Sequence, residues 1–199
     1  MKLRENIVRR VTAGGRKYRV NLHFKNVFGM IEILGEKTLV PDAKAYLALK
    51  CVMKHPPKNE ARCRTLFEEV CRVVFPEDEK PQKHERYTDF EQDANLIRAA
   101  FWQVYGINLW RDNLTWQEFT ALLEGLPNGC RYMDVIGIRA APMPEATKYN
   151  HKERESLMKA KASVALRSTD GTEKKDIGLF SVAQTLIAYA EANGGMEHG

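Results

Sequence analysis

No apolar run in this 199-residue chain approaches the ~20 residues needed to cross a bilayer. The stretch Met1-Lys2-Leu3-Arg4-Glu5-Asn6 is followed by Arg9 and Arg10, which leaves no apolar signal-peptide core. A cytoplasmic protein without a membrane partner is the expectation. Cysteine is scarce: Cys51, Cys63, Cys71 and Cys130 form no C-x-x-C pair and match no zinc ribbon or finger. Buried, reduced thiols are expected instead, because Cys63 and Cys71 lie in a helical pattern with Leu66, Phe67, Val70 and Val74. Gly14-Gly15-Arg16-Lys17 lacks the spacing and the hydroxyl residue of a phosphate-cradling Walker loop. His84-Glu85 is followed by no second histidine at zinc-protease spacing, and no G-x-S-x-G elbow occurs. Histidines 23, 55, 84, 151 and 198 stand apart from Cys, Asp or Glu at ligand spacing. Neither an internal repeat nor a low-complexity segment is present. These absences argue for a protein that is not an enzyme and that uses no cofactor and no metal.

What the chain does contain is a globular balance of 44% hydrophobic and 29% charged residues, enough at this length to bury one core. The net charge of +5 is local, since residues 1 to 20 hold seven Lys and Arg against Glu5 alone. Within that stretch, Ile7 to Thr12 and Arg16 to Leu22 read as strands of a hairpin turned at Ala13-Gly14-Gly15. Tyr18, Val20 and Leu22 give it an apolar face that must pack on helices. The basic residues have two readings: a phosphate-binding surface, or solvated charges that block edge-to-edge aggregation, which is the commoner use.

Helical spacing follows. Phe24, Val27, Phe28, Ile31 and Leu34 stop at Gly35; Pro41 opens a helix carrying Ala45, Leu47, Ala48, Cys51 and Val52; His55-Pro56-Pro57 breaks it. Asn59 caps a helix that runs to Val74, and Glu77 to Tyr87 reads as a solvated, charged loop. Thr88 with Glu91, or Asp89 with Gln92, opens the next helix, whose Phe90, Ala94, Ile97, Phe101 and Val104 share a face and which Gly106 closes. Asp89, Glu91 and Asp93 could suggest a cation site, but carboxylates in a first turn are explained by the positive end of the helix. Thr115 with Glu118 makes a reciprocal cap for a helix carrying Trp116, Phe119, Leu122, Leu123 and Leu126, ended by Gly125 and Pro127. Met133, Val135, Ile136 and Ile138 suggest a short helix. Glu145 to Arg167 reads as an exposed helix packed only along Leu157, Met158, Val164 and Leu166.

The aromatic residues divide by helical phase. Trp116 and Tyr105 lie near apolar faces and belong to the core, whereas Trp102 falls off its helix's face and Trp110 sits in the connection after Gly106, so both are candidates for partner contact. A polar linker, Ser168 to Lys175, leads to an apolar helix over Ile177 to Ala192, in which Leu179, Phe180, Ala183, Leu186 and Ile187 form a face that folds back or docks on a partner. The expected fold is mainly α, an N-terminal β-hairpin packed on a bundle of about six or seven helices. Residues 1–167 are read as one helical domain and 168–199 as the linker with the C-terminal amphipathic helix.

Several runs carry a resemblance. Asp93-Ala94-Asn95-Leu96-Ile97-Arg98-Ala99-Ala100-Phe101, Tyr105-Gly106-Ile107-Asn108-Leu109, Leu114-Thr115-Trp116-Gln117-Glu118-Phe119, Leu122-Leu123-Glu124-Gly125-Leu126-Pro127 and Ile136-Gly137-Ile138-Arg139 resemble the bacteriophage gene-product-fifteen family of long-tailed phages and prophages of Gram-positive bacteria. The similarity extends more loosely to Gly15-Arg16-Lys17-Tyr18-Arg19-Val20-Asn21 and spans roughly residues 10 to 165. It implies a non-enzymatic tail assembly protein of a siphovirus, a chaperone that binds the tape-measure protein and possibly other tail proteins. Such a protein acts in the cytoplasm of the bacterial host, is absent from the mature virion and can form homo-oligomers. The alternative is a nucleic-acid-binding accessory protein that uses the basic hairpin, the less favoured partner class.

Overall fold

The computed structural model describes residues 7–36, 38–75 and 87–167. Among these, the chain forms two strands and seven helices: β1 (Arg10–Ala13), β2 (Arg16–Arg19), α1 (Phe24–Gly35), α2 (Pro41–Val52), α3 (Glu60–Val74), α4 (Ala94–Tyr105), α5 (Trp116–Glu124), α6 (Arg131–Ala140) and α7 (His151–Val164). The expected architecture, mainly helical with an N-terminal hairpin, is the one observed. The expected C-terminal helix over residues 177–192, with Leu179, Phe180, Ala183, Leu186 and Ile187, lies outside the described residues, as do residues 77–86 of the expected loop. The described residues fall into two compact units, one of 7–75 and 113–121, the other of 87–112 and 122–167.

In the first unit, β1 and β2 pair antiparallel with Val11 opposite Tyr18 and Ala13 opposite Arg16. Gly14 and Gly15 take φ of 53° and 72°, the two positive angles that a tight hairpin turn demands. Both strands are shorter than expected. Beyond Val20, whose N–H still reaches Arg9 O, the backbone turns to other partners: Asn21 N–H donates to Val52 O, Trp116 N–H to Leu22 O and Phe24 N–H to Leu114 O. The ladder stops because its donors and acceptors are taken by the end of α2 and the start of α5.

Helix α1 starts where expected, but the cap is His23, whose Nδ1 accepts the Lys25 N–H at 3.2 Å. Gly35 is its last helical residue and the chain leaves through an extended Glu36, so no left-handed closure occurs here. Pro41 begins α2, and Asn59 caps α3 by accepting the Arg62 N–H at 3.0 Å. Leu49 is fully buried in α2, while Leu47 and Cys51 are half-buried, a small rotation of the face expected from spacing. Phe24, Phe28, Trp116 and Phe119 form the centre of this core; Phe24 stacks on Phe119 at 5.0 Å and Phe28 meets the Trp116 edge at 5.6 Å. Trp116 Nε1 donates to Val74 O at 3.0 Å, so a buried indole satisfies a carbonyl left open at the end of α3.

In the second unit, α6 packs on α4 and α7. Its core holds Ile97, Ala100, Phe101, Leu109, Leu126, Tyr132 and Val135. Tyr132 was not among the residues expected inside; its hydroxyl finds Thr88 Oγ1 at 2.9 Å, which allows burial of the ring. Helix α7 is mostly exposed, as expected, and of its expected stripe Leu157, Val164 and Leu166 are half-buried while Met158 is 60% exposed. Polar contacts also hold that helix, with Lys161 Nζ donating to Arg139 O at 2.7 Å and Arg154 to Pro144 O.

Candidate functional site

The turn that leads into α4 is built from side-chain hydrogen bonds, and α4 itself starts at Ala94, later than the Asp89 cap implied, with no side-chain cap from Asp93. Asp89 Oδ1 accepts from the Glu91 and Gln92 N–H groups at 2.9 and 2.8 Å. The return bond to the Asp89 N–H comes from Asp93 Oδ2 at 2.9 Å, not from the Gln92 side chain that the capping pattern suggested. The Gln92 side chain donates to Asp89 Oδ2 at 3.3 Å and also holds the Arg167 backbone, accepting its N–H at 2.8 Å and donating to its carbonyl at 3.2 Å.

Asp93 is 1% exposed, the one buried charged residue among those described. It faces the Arg139 guanidinium in a bidentate pair, Nη1 to Oδ2 at 2.7 Å and Nη2 to Oδ1 at 2.9 Å. Arg139 also donates to Tyr87 O at 2.9 Å and, through Nε, to Val164 O at 2.6 Å. A charge buried this deeply is tolerated because its partner is opposite and both carboxylate oxygens accept hydrogen bonds, Oδ1 one and Oδ2 two. The sequence held a signal for it: Arg139 lies four residues after Val135 and seven after Tyr132, so it sits on the apolar side of α6. A cation on a buried stripe implies a buried anion.

This node fixes the helix on which Trp102 is displayed. Trp102 is 60% exposed, and Trp110 is 66% exposed. Gly106 closes α4 with φ 68°, its N–H bound to Trp102 O, and the next turn is locked by Asn108 Oδ1 accepting the Trp110 N–H at 3.0 Å and Asp112 Oδ2 accepting the Asn108 N–H at 2.6 Å. The Arg98 guanidinium lies 5.0 Å from the Trp110 ring centroid. Arg98 and Trp102 are four apart on α4 and so share one face, which makes Trp110, Arg98 and Trp102 consecutive members of one surface. Tyr105, by contrast, is half-buried and donates to Leu122 O at 2.9 Å.

Cys63, Cys71 and Cys130 are buried, whereas Cys51 is only half-buried, a departure from the expectation of four buried thiols. Burial pushes the Cys71 thiol well above its usual range and, less strongly, those of Cys51 and Cys63. Nucleophilic thiolates are disfavoured at all three. Among the described residues, no three His, Cys, Asp or Glu side chains converge as metal ligands, and no helix is long and apolar enough to cross a membrane.

A family model described as Bacteriophage Gp15 protein matches residues 3–166. The chain belongs to the bacteriophage Gp15 family. It is therefore a phage protein. The match starts earlier than the resemblance legible from residue 10 and takes in Asp93, Arg139, Trp102 and Trp110, but stops before Leu179 and the rest of the apolar C-terminal pattern. Neither the curated proteins nor the solved structures contain a match to this chain.

Proposed function

We propose that this Gp15-family protein is a non-enzymatic chaperone of phage tail assembly that binds the tape-measure protein in the host cytoplasm and leaves before the virion is complete. The observation that carries the reading is the rigid display of Trp102 and Trp110 at 60 and 66% exposure on either side of Arg98. Trp and Arg dominate the energetics of protein interfaces, and a surface already ordered before contact loses little entropy on binding. A tape-measure protein offers long helices with apolar stripes that self-associate when uncovered, and aromatic surfaces of this kind cover such stripes. Several copies along one client give tight coating from modest individual contacts.

Co-expression with the tape-measure protein of the same phage, affinity capture and size-exclusion chromatography with light scattering tests this. A soluble complex with several copies per client is expected. Trp102→Ala combined with Trp110→Ala lowers capture by about tenfold or more, the scale of an interface hot spot. An insoluble client with no capture refutes the reading.

A further inference from the structure

The register of the hairpin places like charges face to face. Arg10 lies directly opposite Arg19, with Thr12 opposite Lys17 beside them, and all four are exposed on the outward face. Directly opposed like charges destabilise a two-stranded ladder. None of Arg9, Arg10, Arg16, Lys17, Arg19 or Arg62 forms an ion pair or a side-chain hydrogen bond among the described residues.

The inner face continues the pattern. Where the hairpin meets the first turn of α3, Arg16 and Arg62 line a cleft together with Tyr18, which is half-exposed. Arg62 comes from a helix 43 residues further along the chain, so the fold, not sequence adjacency, joins it to the hairpin's cations. We infer that this hairpin and cleft bind single-stranded nucleic acid, with a base stacked on the Tyr18 ring and its phosphate held by Arg16 and Arg62, while Arg10, Lys17 and Arg19 on the outward face add to the positive field that draws the strand in. Guanidinium forks fit phosphate bidentately, and an aromatic face between cations is how strands are bound without sequence preference. An acidic peptide would use the cations but has no need of the ring, so Tyr18 decides between the two.

Fluorescence anisotropy of the full chain with a labelled oligothymidylate, titrated at several salt concentrations, tests the assignment. Binding at about 50 mM salt is expected to weaken as salt rises, with a log–log slope of about −0.7 per phosphate contact. Arg62→Gln should weaken binding and remove about 0.7 from that slope. Tyr18→Leu should cost about tenfold at unchanged slope, and Tyr18→Phe should restore it. The inference is overturned if the native chain does not bind, if polyglutamate competes as well as the oligonucleotide, or if Tyr18→Leu binds like the native chain while its circular dichroism melt is unchanged.

Discussion

Arg139 is the residue on which the second unit depends most heavily. It meets four oxygens, two of Asp93 and the carbonyls of Tyr87 and Val164. Removing one member of a buried pair leaves the other charged and unsolvated, so Asp93→Ala or Arg139→Ala should each lose about 3–5 kcal/mol in urea unfolding, whereas Asp93→Leu combined with Arg139→Met should lose clearly less than the two single costs together. Additive losses would mean that the pair does not act as a unit. His23 sets a different dependence. Burial and, secondarily, the Lys25 ammonium hold its pKa below the ordinary histidine value. Its Nδ1 must be unprotonated to accept the Lys25 N–H. The unfolded chain then binds this proton at a higher pH than the folded one, so the stability His23 contributes is present above about pH 6.5 and lost as pH falls through the depressed folded value. Thermal melts between pH 7.5 and 5 should show that decline, and His23→Asn, which keeps a capping acceptor, should flatten it. His23 was not legible beforehand, and Arg139 only in part, since its place on the apolar side of α6 marks a buried cation without naming the partner. The bonds of Arg139 reach 46 residues back to Asp93, a pairing that no local pattern contains, and histidine is not among the residues that ordinarily signal a helix cap.

At the scale of elements, local chemistry was legible wherever it closed on itself. The Thr115–Glu118 cap of α5 is present in both directions, with Thr115 N–H to Glu118 Oε2 at 2.8 Å and Glu118 N–H to Thr115 Oγ1 at 3.3 Å, because all its atoms lie within four consecutive residues. Gly106 likewise takes the positive φ that its place after Tyr105 implied. The strand ends differ from expectation because partners elsewhere in the chain decide them, and of the α7 stripe only Met158 departs. Two glycines give opposed predictions. Gly106→Ala forces a Cβ into a left-handed φ of 68° and should cost about 1–2 kcal/mol, although no neighbouring atom lies within 4 Å of that Cβ. Gly137, inside α6 with no positive φ and equally open space, should gain about 0.5–1 kcal/mol as alanine. Chemical denaturation of the two variants checks both signs.

For the whole molecule, the family membership spans residues 3–166, close to the extent over which runs such as Leu114 to Phe119 had been legible. The tryptophan surface was half legible: helical phase put Trp102 outside, but nothing local brought Arg98 over Trp110, because that contact needs the turn at Gly106 to fold the chain back. The basic hairpin was seen as charge, and only the register and the arrival of Arg62 gave it a shape. Tyr87 and Arg167, the first and last described residues of the second unit, are both fastened to the turn that opens α4, Tyr87 through Arg139 and Asp93, Arg167 through the Gln92 amide. These two distant stretches of chain are thus clasped at a single place by a handful of hydrogen bonds in parallel. Gln92→Ala should loosen that clasp, quickening amide hydrogen exchange at Arg167 while leaving the α4 amides slow.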